Sequence, residues 1–133
     1  MSLRVLRILV VDDHEVVREA TRSILEHHGF DVVGEASDGA EAIRNACLLE
    51  PNVVVMDINM PRIDGLEATR LIKLLFPDTK VVVTSACEEE SIRARVKAAG
   101  ASAFVRKGSL IDALVAAIVA CEELFVAAKP QVL

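Results

Sequence analysis

The chain has 133 residues, 53 % of them hydrophobic, and carries a formal net charge of −5, which suits a single domain with one apolar core. The negative charge argues against nucleic-acid binding by the chain itself, which needs a basic surface, and no apolar run reaches the ~20 residues of a membrane span. Three cysteines without CxxC spacing and the lack of a signal peptide predict a cytoplasmic protein with reduced thiols. The histidines also lack metal-ligand spacing and are interpreted as surface or helix-end residues: His14, His27 and His28.

Short apolar segments alternate along the chain with longer segments of helical periodicity. The predicted strands are Val5–Val11, Asp31–Glu35, Val53–Met56, Lys80–Thr84 and Ala103–Val105. The predicted helices are Glu15–His28, Ala40–Leu49, Leu66–Leu75, Glu89–Ala99 and Leu110–Val126. Gly29 and Gly100 stand where helix ends favour a left-handed residue, and Asp64 stands where it caps the third helix. Five strand–helix units predict an α/β fold with a parallel sheet covered by helices on both faces.

Three aspartates stand at the ends of predicted strands. Asp12 and Asp13 follow the apolar run "RILVV", and Asp57 follows "VVVM". In a parallel α/β sheet the carboxyl ends of the strands share one edge, and ligands bind there at the point where the strand order reverses. Three carboxylates in one pocket repel each other, so the sequence predicts that a positive group belongs between them.

The motifs "VVDDH", "VVVMDINMPRIDGLEATR", "VVVTSA" and "AGASAFVRKGS" resemble the receiver domain of bacterial two-component response regulators over nearly the whole chain. The spacing fits that family: Asp57 follows Asp13 by 44 residues, and Ser85 and Lys107 follow at further intervals of 28 and 22. The resemblance implies a flavodoxin-like (βα)5 three-layer sandwich whose five-stranded parallel sheet has the order 2-1-3-4-5. It also implies that residues 1–126 form the receiver domain and that residues 127–133 start a linker or C-terminal tail.

The resemblance assigns roles to the acidic residues. It implies that the carboxylate of Asp57 is the phosphoacceptor. It implies a Mg²⁺ site formed by Asp12, Asp13, Asp57 and the backbone carbonyl of Asn59, oxygen ligands that suit this small, hard cation. The metal would be the positive group that neutralises the carboxylates and then binds the phosphoryl oxygens. Lys107 would add a second positive charge to the phosphoryl group.

Two further residues resemble the family's switch. Ser85 matches the hydroxyl residue that moves towards the phosphoryl group, and Phe104 matches the aromatic residue that then turns inward. Thr84 is the rival of Ser85, because neighbouring residues of a strand point to opposite faces. Two positions depart from the family pattern: Gly108 stands where receivers often have proline, and Cys87 stands at a position that tunes dephosphorylation.

The last predicted helix, "LIDALVAAIVACEELFVAA", is apolar on all sides over its central turns. A surface helix normally has a polar face, so one interpretation is an interface with a second copy or another domain. The other is a helix that is simply rich in small alanines.

The resemblance also implies a partner that donates the phosphoryl group, either a sensor histidine kinase or a phosphotransfer protein.

The motif wording is most similar to NarL/LuxR-type regulators, which carry a C-terminal helix-turn-helix DNA-binding domain. We expect the receiver part of such a transcription regulator, with the DNA-binding domain absent from this sequence, acting as a signalling domain rather than an enzyme. The alternative is a stand-alone receiver that works by protein–protein contact or in a phosphorelay. A haloacid-dehalogenase-type phosphohydrolase would need a second acid where this chain has Asn59, and an unphosphorylated pseudo-receiver would not need the complete acid set.

Overall fold

The computed structural model describes residues 5–60, 64–86, 90–108 and 111–128, with side chains of the last helix described as far as Glu122. The strands are β1 (Arg7–Val11), β2 (Asp31–Ala36), β3 (Val53–Asp57), β4 (Lys80–Ser85) and β5 (Ala103–Arg106). The helices are α1 (Glu15–His27), α2 (Gly39–Leu49), α3 (Gly65–Leu75), α4 (Glu90–Ala98) and α5 (Ile111–Ala128). All ten predicted elements are confirmed, with shifts of one or two residues at their ends. The predicted helix starts at Glu89 and Leu110 fall outside the described residues.

All strand pairs in the sheet are parallel, and the order is β2-β1-β3-β4-β5. The predicted α/β fold and its strand order are therefore confirmed. The chain moves from β1 to β2 in one direction and then returns past β1 to β3. The order reverses between β1 and β3, so the crevice in which such sheets bind ligands lies at the carboxyl ends of these two strands.

The sheet separates two apolar clusters, because neighbouring strand residues point to opposite faces. The cluster under α2, α3 and α4 includes Leu9, Val54, Met56, Ile72 and Val96. The cluster under α1 and α5 includes Val10, Leu25, Val55, Val82 and Ile118. Every residue of β3 is buried, which explains why this strand is a continuous apolar run rather than an alternating one.

The helix boundaries follow the predicted signals. Gly29 and Gly100 have φ of +89° and +95°, the left-handed conformation that glycine adopts without strain. The carboxylate of Asp64 accepts a hydrogen bond of 2.9 Å from the backbone N–H of Glu67 and so caps α3. Within the described part of the chain, none of the helices combines the length and the apolar content that crossing a bilayer requires.

The start of α3 lies directly against the end of β3. A Cβ atom added to Gly65 would meet the carbonyl oxygen of Asp57 at 2.1 Å and the Cα of Ile58 at 2.5 Å. Both obstructing atoms belong to the backbone, so no side-chain rotation relieves the clash. Gly65 thus permits the close approach that seats α3 beside the strand end carrying Asp57.

Gly65→Ala should therefore destabilise the fold by about 3 kcal/mol, the upper range for overpacking. Gly34→Ala is the matched control, because the atoms that a Cβ there would meet all belong to side chains, and the nearest is the Cδ1 of Leu49 at 2.5 Å, the end of a flexible side chain. We expect its cost to be about 1 kcal/mol. Urea unfolding curves of both variants provide the measurement, and equal losses of stability would contradict this role of Gly65.

Candidate functional site

The predicted acidic residues meet at the carboxyl edge of the sheet. Asp57, the last residue of β3, has no solvent exposure, and Asp12, the residue after β1, is 4 % exposed. Asp13 is half-buried beside them. Carboxylate oxygens of all three residues and a ring nitrogen of His14 lie within 4.8 Å of one another. The predicted crowding of carboxylates is therefore present.

Lys107 supplies the positive charge that this arrangement needs. Its Nζ lies 2.9 Å from Oδ2 of Asp12 and 3.0 Å from Oδ2 of Asp57. The lysine follows β5 and reaches across the end of β4 to the two strands that flank the crevice. Burial acts to lower the pKa of Lys107, but its hydrogen bonds to Asp12 and Asp57 outweigh this effect and raise the pKa overall.

The two oxygens of Asp57 have different partners. Oδ2 accepts from Lys107, and Oδ1 accepts a hydrogen bond of 3.0 Å from the backbone N–H of Asn59. Burial raises the pKa of Asp57, and the Asn59 N–H and Lys107 oppose this rise without cancelling it. The ionised form is thus held in the site at an energetic cost, which a further cation would reduce. The role of the Asn59 carbonyl as a ligand stays a prediction.

One carboxylate oxygen of Asp13 accepts no hydrogen bond from the described residues. This oxygen, Oδ1, is shielded from solvent, and His14 Nδ1 approaches it to 3.1 Å. We take that approach as an electrostatic contact only, because it lacks the geometry of a hydrogen bond. A desolvated carboxylate oxygen without a donor is costly. Such an oxygen beside two other carboxylates fits a ligand of a hard cation.

His14 stands at the N-terminal end of α1, with its side chain 65 % exposed. Its interpretation as a surface or helix-end residue is correct. The sequence analysis missed, however, that the ring Nδ1 lies 3.3 Å from Oδ1 of Asp12 and close to Asp13. The adjacency in "DDH" is the signal that could have revealed this contact.

Ser85 and Thr84 end β4 on opposite faces of the sheet, as the alternation of strand residues predicts. Ser85 is fully buried, and its carbonyl accepts a hydrogen bond of 2.7 Å from the N–H of Lys107. Thr84 lines an apolar cavity of about 300 Å³ between the sheet, α1 and α5, together with Asp12 and Lys107. Both hydroxyl residues thus lie near the acidic cluster, and the choice of Ser85 stays a prediction.

Phe104 on β5 is half-buried next to α4. It packs against the apolar cluster under α2, α3 and α4, and the guanidinium of Arg93 lies 4.9 Å from its ring centre. This distance is that of a cation–π contact. The aromatic residue therefore connects the sheet to the helix next to it.

The two departures from the family pattern differ in outcome. Gly108 has φ of +85°, a conformation that proline cannot adopt, so the backbone after Lys107 follows a path that glycine permits. Cys87 lies outside the described residues, so its effect on dephosphorylation stays a prediction. The cysteines that are described, Cys47 and Cys121, are free thiols.

The sequence analysis also missed an ion-pair network behind the acidic cluster. Arg18 on α1 donates from Nη1 to the carbonyl oxygen of Asp12 at 2.8 Å and from Nε to Oε1 of Glu35 at 3.0 Å. Arg22, one turn further along, donates to Oε2 of Glu35 at 2.7 Å. The hydrogen bonds from Arg22 and Arg18 lower the pKa of Glu35 against the opposing effect of burial. The network joins α1 and β2 to the end of β1.

Comparisons with known proteins agree with this geometry. The model of the family described as "Response regulator receiver domain" matches residues 8–119. The response regulator GacA of Pseudomonas viridiflava is 45 % identical over 114 residues, which cover 85 % of this chain and 53 % of that protein. The chain thus spans about half the length of the curated relatives it matches.

Solved structures give the same result. A two-component response regulator of the LuxR family from Aurantimonas sp. SI85-9A1 has 37 % identity and a TM-score of 0.84, covering 88 % of this chain and 84 % of that one. The signal receiver domain of the putative response regulator NarL from Mycobacterium tuberculosis has 32 % identity and a TM-score of 0.86, covering 91 % and 98 %. The chain belongs to the response regulator receiver domain family of two-component systems.

Proposed function

We propose that Asp57 accepts a phosphoryl group and that this modification switches the output of a two-component response regulator. The observation that carries the proposal is the fully buried Asp57 carboxylate, which shares the Lys107 ammonium with Asp12 at the strand ends. A carboxylate whose charge is only partly compensated, at the strand ends where such sheets bind ligands, is suited to act as a nucleophile.

The donor is a phosphohistidine of a sensor histidine kinase or a phosphotransfer protein. An oxygen of Asp57 attacks the phosphorus atom, the P–O bond forms, and the P–N bond to the histidine breaks as the imidazole nitrogen takes the electron pair and then a proton. The Asn59 N–H fixes one carboxylate oxygen, and Lys107 provides positive charge for the phosphoryl oxygens. Catalysis rests on positioning and charge.

Mg²⁺ fits the same pocket. Asp12, Asp13, Asp57 and the backbone carbonyl of Asn59 would hold it, and the shielded Oδ1 of Asp13, which accepts no hydrogen bond from the described residues, supports this assignment. Bound there, the ion supplies charge that neutralises the carboxylates and the phosphoryl oxygens. Lys107, whose Nζ lies 3.0 Å from Oδ2 of Asp57, would place its positive charge against the phosphoryl oxygens.

We assign the switch to Ser85 and Phe104. Ser85 is buried at the end of β4, and its carbonyl is bonded to the N–H of Lys107, so a change at the phosphoryl group reaches it directly. Phe104 lies on the neighbouring strand and contacts Arg93 of α4. A turn of the ring would break that contact and alter the surface beside α4.

The output is proposed to be transcription regulation by a DNA-binding domain that is not in this sequence. Support comes from the relatives, which include the response regulators GacA and UvrY and the transcriptional regulatory protein DegU. The free thiols of Cys47 and Cys121 favour a cytoplasmic location. A stand-alone receiver that acts by protein contact or in a phosphorelay remains the second candidate.

Incubation with Mg²⁺ and a small acyl phosphate should add one phosphoryl group to the chain, because Asp57 accepts it without a protein donor. Intact-mass spectrometry measures the adduct. We expect none with Asp57→Asn or with excess chelator, and a slower appearance with Lys107→Gln, which removes the positive charge.

Three outcomes would contradict the proposal. An adduct on Asp57→Asn would move the phosphoacceptor elsewhere. Absence of any adduct, without phosphate release from the donor, would identify an unphosphorylated pseudo-receiver, whereas continuous turnover of simple phosphate esters would favour the phosphohydrolase alternative.

Asp57→Asn should also raise the stability of the chain at neutral pH without metal. Because burial raises the pKa of Asp57, the folded chain binds its proton more tightly than the unfolded chain, and stability falls as the pH rises through the folded pKa. The difference between variant and parent should vanish as the pH falls to about 3 or lower, where the carboxyl is protonated in both states. Urea unfolding from acid to neutral pH tests this, and a variant less stable at neutral pH would contradict it.

We also propose that α5 mediates self-association. In its described part the outward face carries a stripe of small apolar residues at helical spacing. These exposed residues are Ala113, Ala116, Val119 and Ala120. Small side chains allow a second helix to approach closely, and the apolar stripe gains by leaving water.

Val119→Glu should weaken this association, because it puts a charge into the centre of the stripe. Leu74→Glu is the matched control, since Leu74 is 71 % exposed on α3, on another helix. Sedimentation equilibrium over a range of concentrations provides the readout for phosphorylated and unphosphorylated chains. Equal effects of the two variants, or a parent that stays monomeric in both states, would contradict the interface.

A further inference from the structure

Arg18 joins the backbone of a proposed metal ligand to a neighbouring strand. Its Nη1 donates to the carbonyl oxygen of Asp12 at 2.8 Å, and its Nε donates to Glu35 at 3.0 Å. Its side chain is 17 % exposed. Because the guanidinium is planar and rigid, the two bonds fix the direction of the carbonyl relative to β2.

The backbone of Asp12 is thereby held from two sides. Its N–H donates to the carbonyl oxygen of Ala36 at 3.0 Å, and its own carbonyl accepts from Arg18. The carbonyl of Ala36 is part of β2, and Arg18 is bonded to Glu35 of β2. Both contacts therefore tie Asp12 to the carboxyl end of β2. The peptide between Asp12 and Asp13 is therefore fixed, and with it the relative placement of the two carboxylates that precede α1.

The charge of Arg18 would by itself oppose a cation in the pocket. Glu35 compensates this charge by an ion pair of 3.0 Å to Arg18, and it also pairs with Arg22 at 2.7 Å. Arg22 donates to Glu35 and Glu26 but makes no described contact with Asp12. The two arginines thus share an anionic partner and differ in their contact with the acidic cluster.

We propose that Arg18 is a positioning residue for the cation site, holding the Asp12–Asp13 backbone so that both carboxylates face the pocket, with Glu35 neutralising its charge. The inference rests on the proposed Mg²⁺ site. Partners that orient metal ligands commonly change metal affinity when they are removed. Arg18 acts through the carbonyl of Asp12 and touches neither the phosphoryl group nor the ion.

The test compares the Mg²⁺ affinity of Arg18→Gln with that of Arg22→Gln. The chain lacks tryptophan and tyrosine, so binding is followed by titrating Mg²⁺ into ¹⁵N-labelled protein and recording the amide resonances of Asp13 and Asn59. We expect Arg18→Gln to weaken Mg²⁺ binding roughly tenfold, while Arg22→Gln leaves it unchanged. Urea unfolding of both variants separates this effect from a general loss of stability.

The direction in which Arg18→Gln changes the Mg²⁺ affinity distinguishes a positioning role of Arg18 from a purely electrostatic one. If Arg18 contributed only its positive charge, Arg18→Gln would tighten Mg²⁺ binding. Arg18→Lys keeps the charge but loses the fork that reaches both acceptors, so it should also weaken binding. Glu35→Gln keeps the Asp12 contact but leaves the guanidinium charge uncompensated, and it should weaken binding too.

The outcomes that overturn the inference are distinct from failure of the proposed function. A parent chain that does not bind Mg²⁺ would overturn the cation site and the role of Arg18 together. If the parent binds Mg²⁺ and Arg18→Gln binds it as tightly as Arg22→Gln does, or more tightly than the parent, the role of Arg18 alone would be overturned. If Arg18→Gln does not fold, Arg18→Lys decides between the same outcomes, because it alters the contact with Asp12 without changing the charge.

Discussion

The structure depends on one interaction: the ammonium of Lys107 between the carboxylates of Asp12 and Asp57, at 2.9 and 3.0 Å. Taking these three charges out of water is costly, and removing the ammonium would leave both carboxylates without a counter-charge. Two negative charges and one positive charge do not balance, and Asp13 adds a further carboxylate. The folded chain therefore carries an excess of negative charge at a place where the sheet exposes a crevice, which makes this edge receptive to cations.

The fold produces this interaction by topology rather than by local sequence. Asp12 and Lys107 follow β1 and β5, and Asp57 ends β3; the parallel sheet brings these strand ends to one edge, and its order places β1 beside β3. The approach also needs room, which Gly65 provides by letting α3 begin against the backbone of Asp57. The continuous apolar burial of β3 makes the edge rigid. An apolar core thus supports the charged cluster.

Much of this architecture is predictable from the sequence, because apolar periodicity and strand-end aspartates are local signals whose consequences in an α/β frame are fixed. The contact of Arg18 with Glu35 is not, since the two residues are 17 positions apart on a helix and a strand, and no periodicity relates them. The direction of the His14 ring depends on the backbone at the start of α1. Alternation predicts that Thr84 and Ser85 face opposite sides, but not which hydroxyl serves the site.

The helices that flank the site are attached to the sheet in different ways, and this difference bears on how a signal leaves it. In both α1 and α4 a single residue is fully buried, Leu25 and Val96. Helix α1 is additionally tied to β2 by the ion pairs of Glu35 with two arginines. Helix α4 touches β5 through the contact of Arg93 with Phe104, which is worth about 1 kcal/mol. An element with few buried apolar contacts shifts at low cost, so we expect a rearrangement of β5 to displace α4 more readily than α1, which the ion pairs of Glu35 also hold.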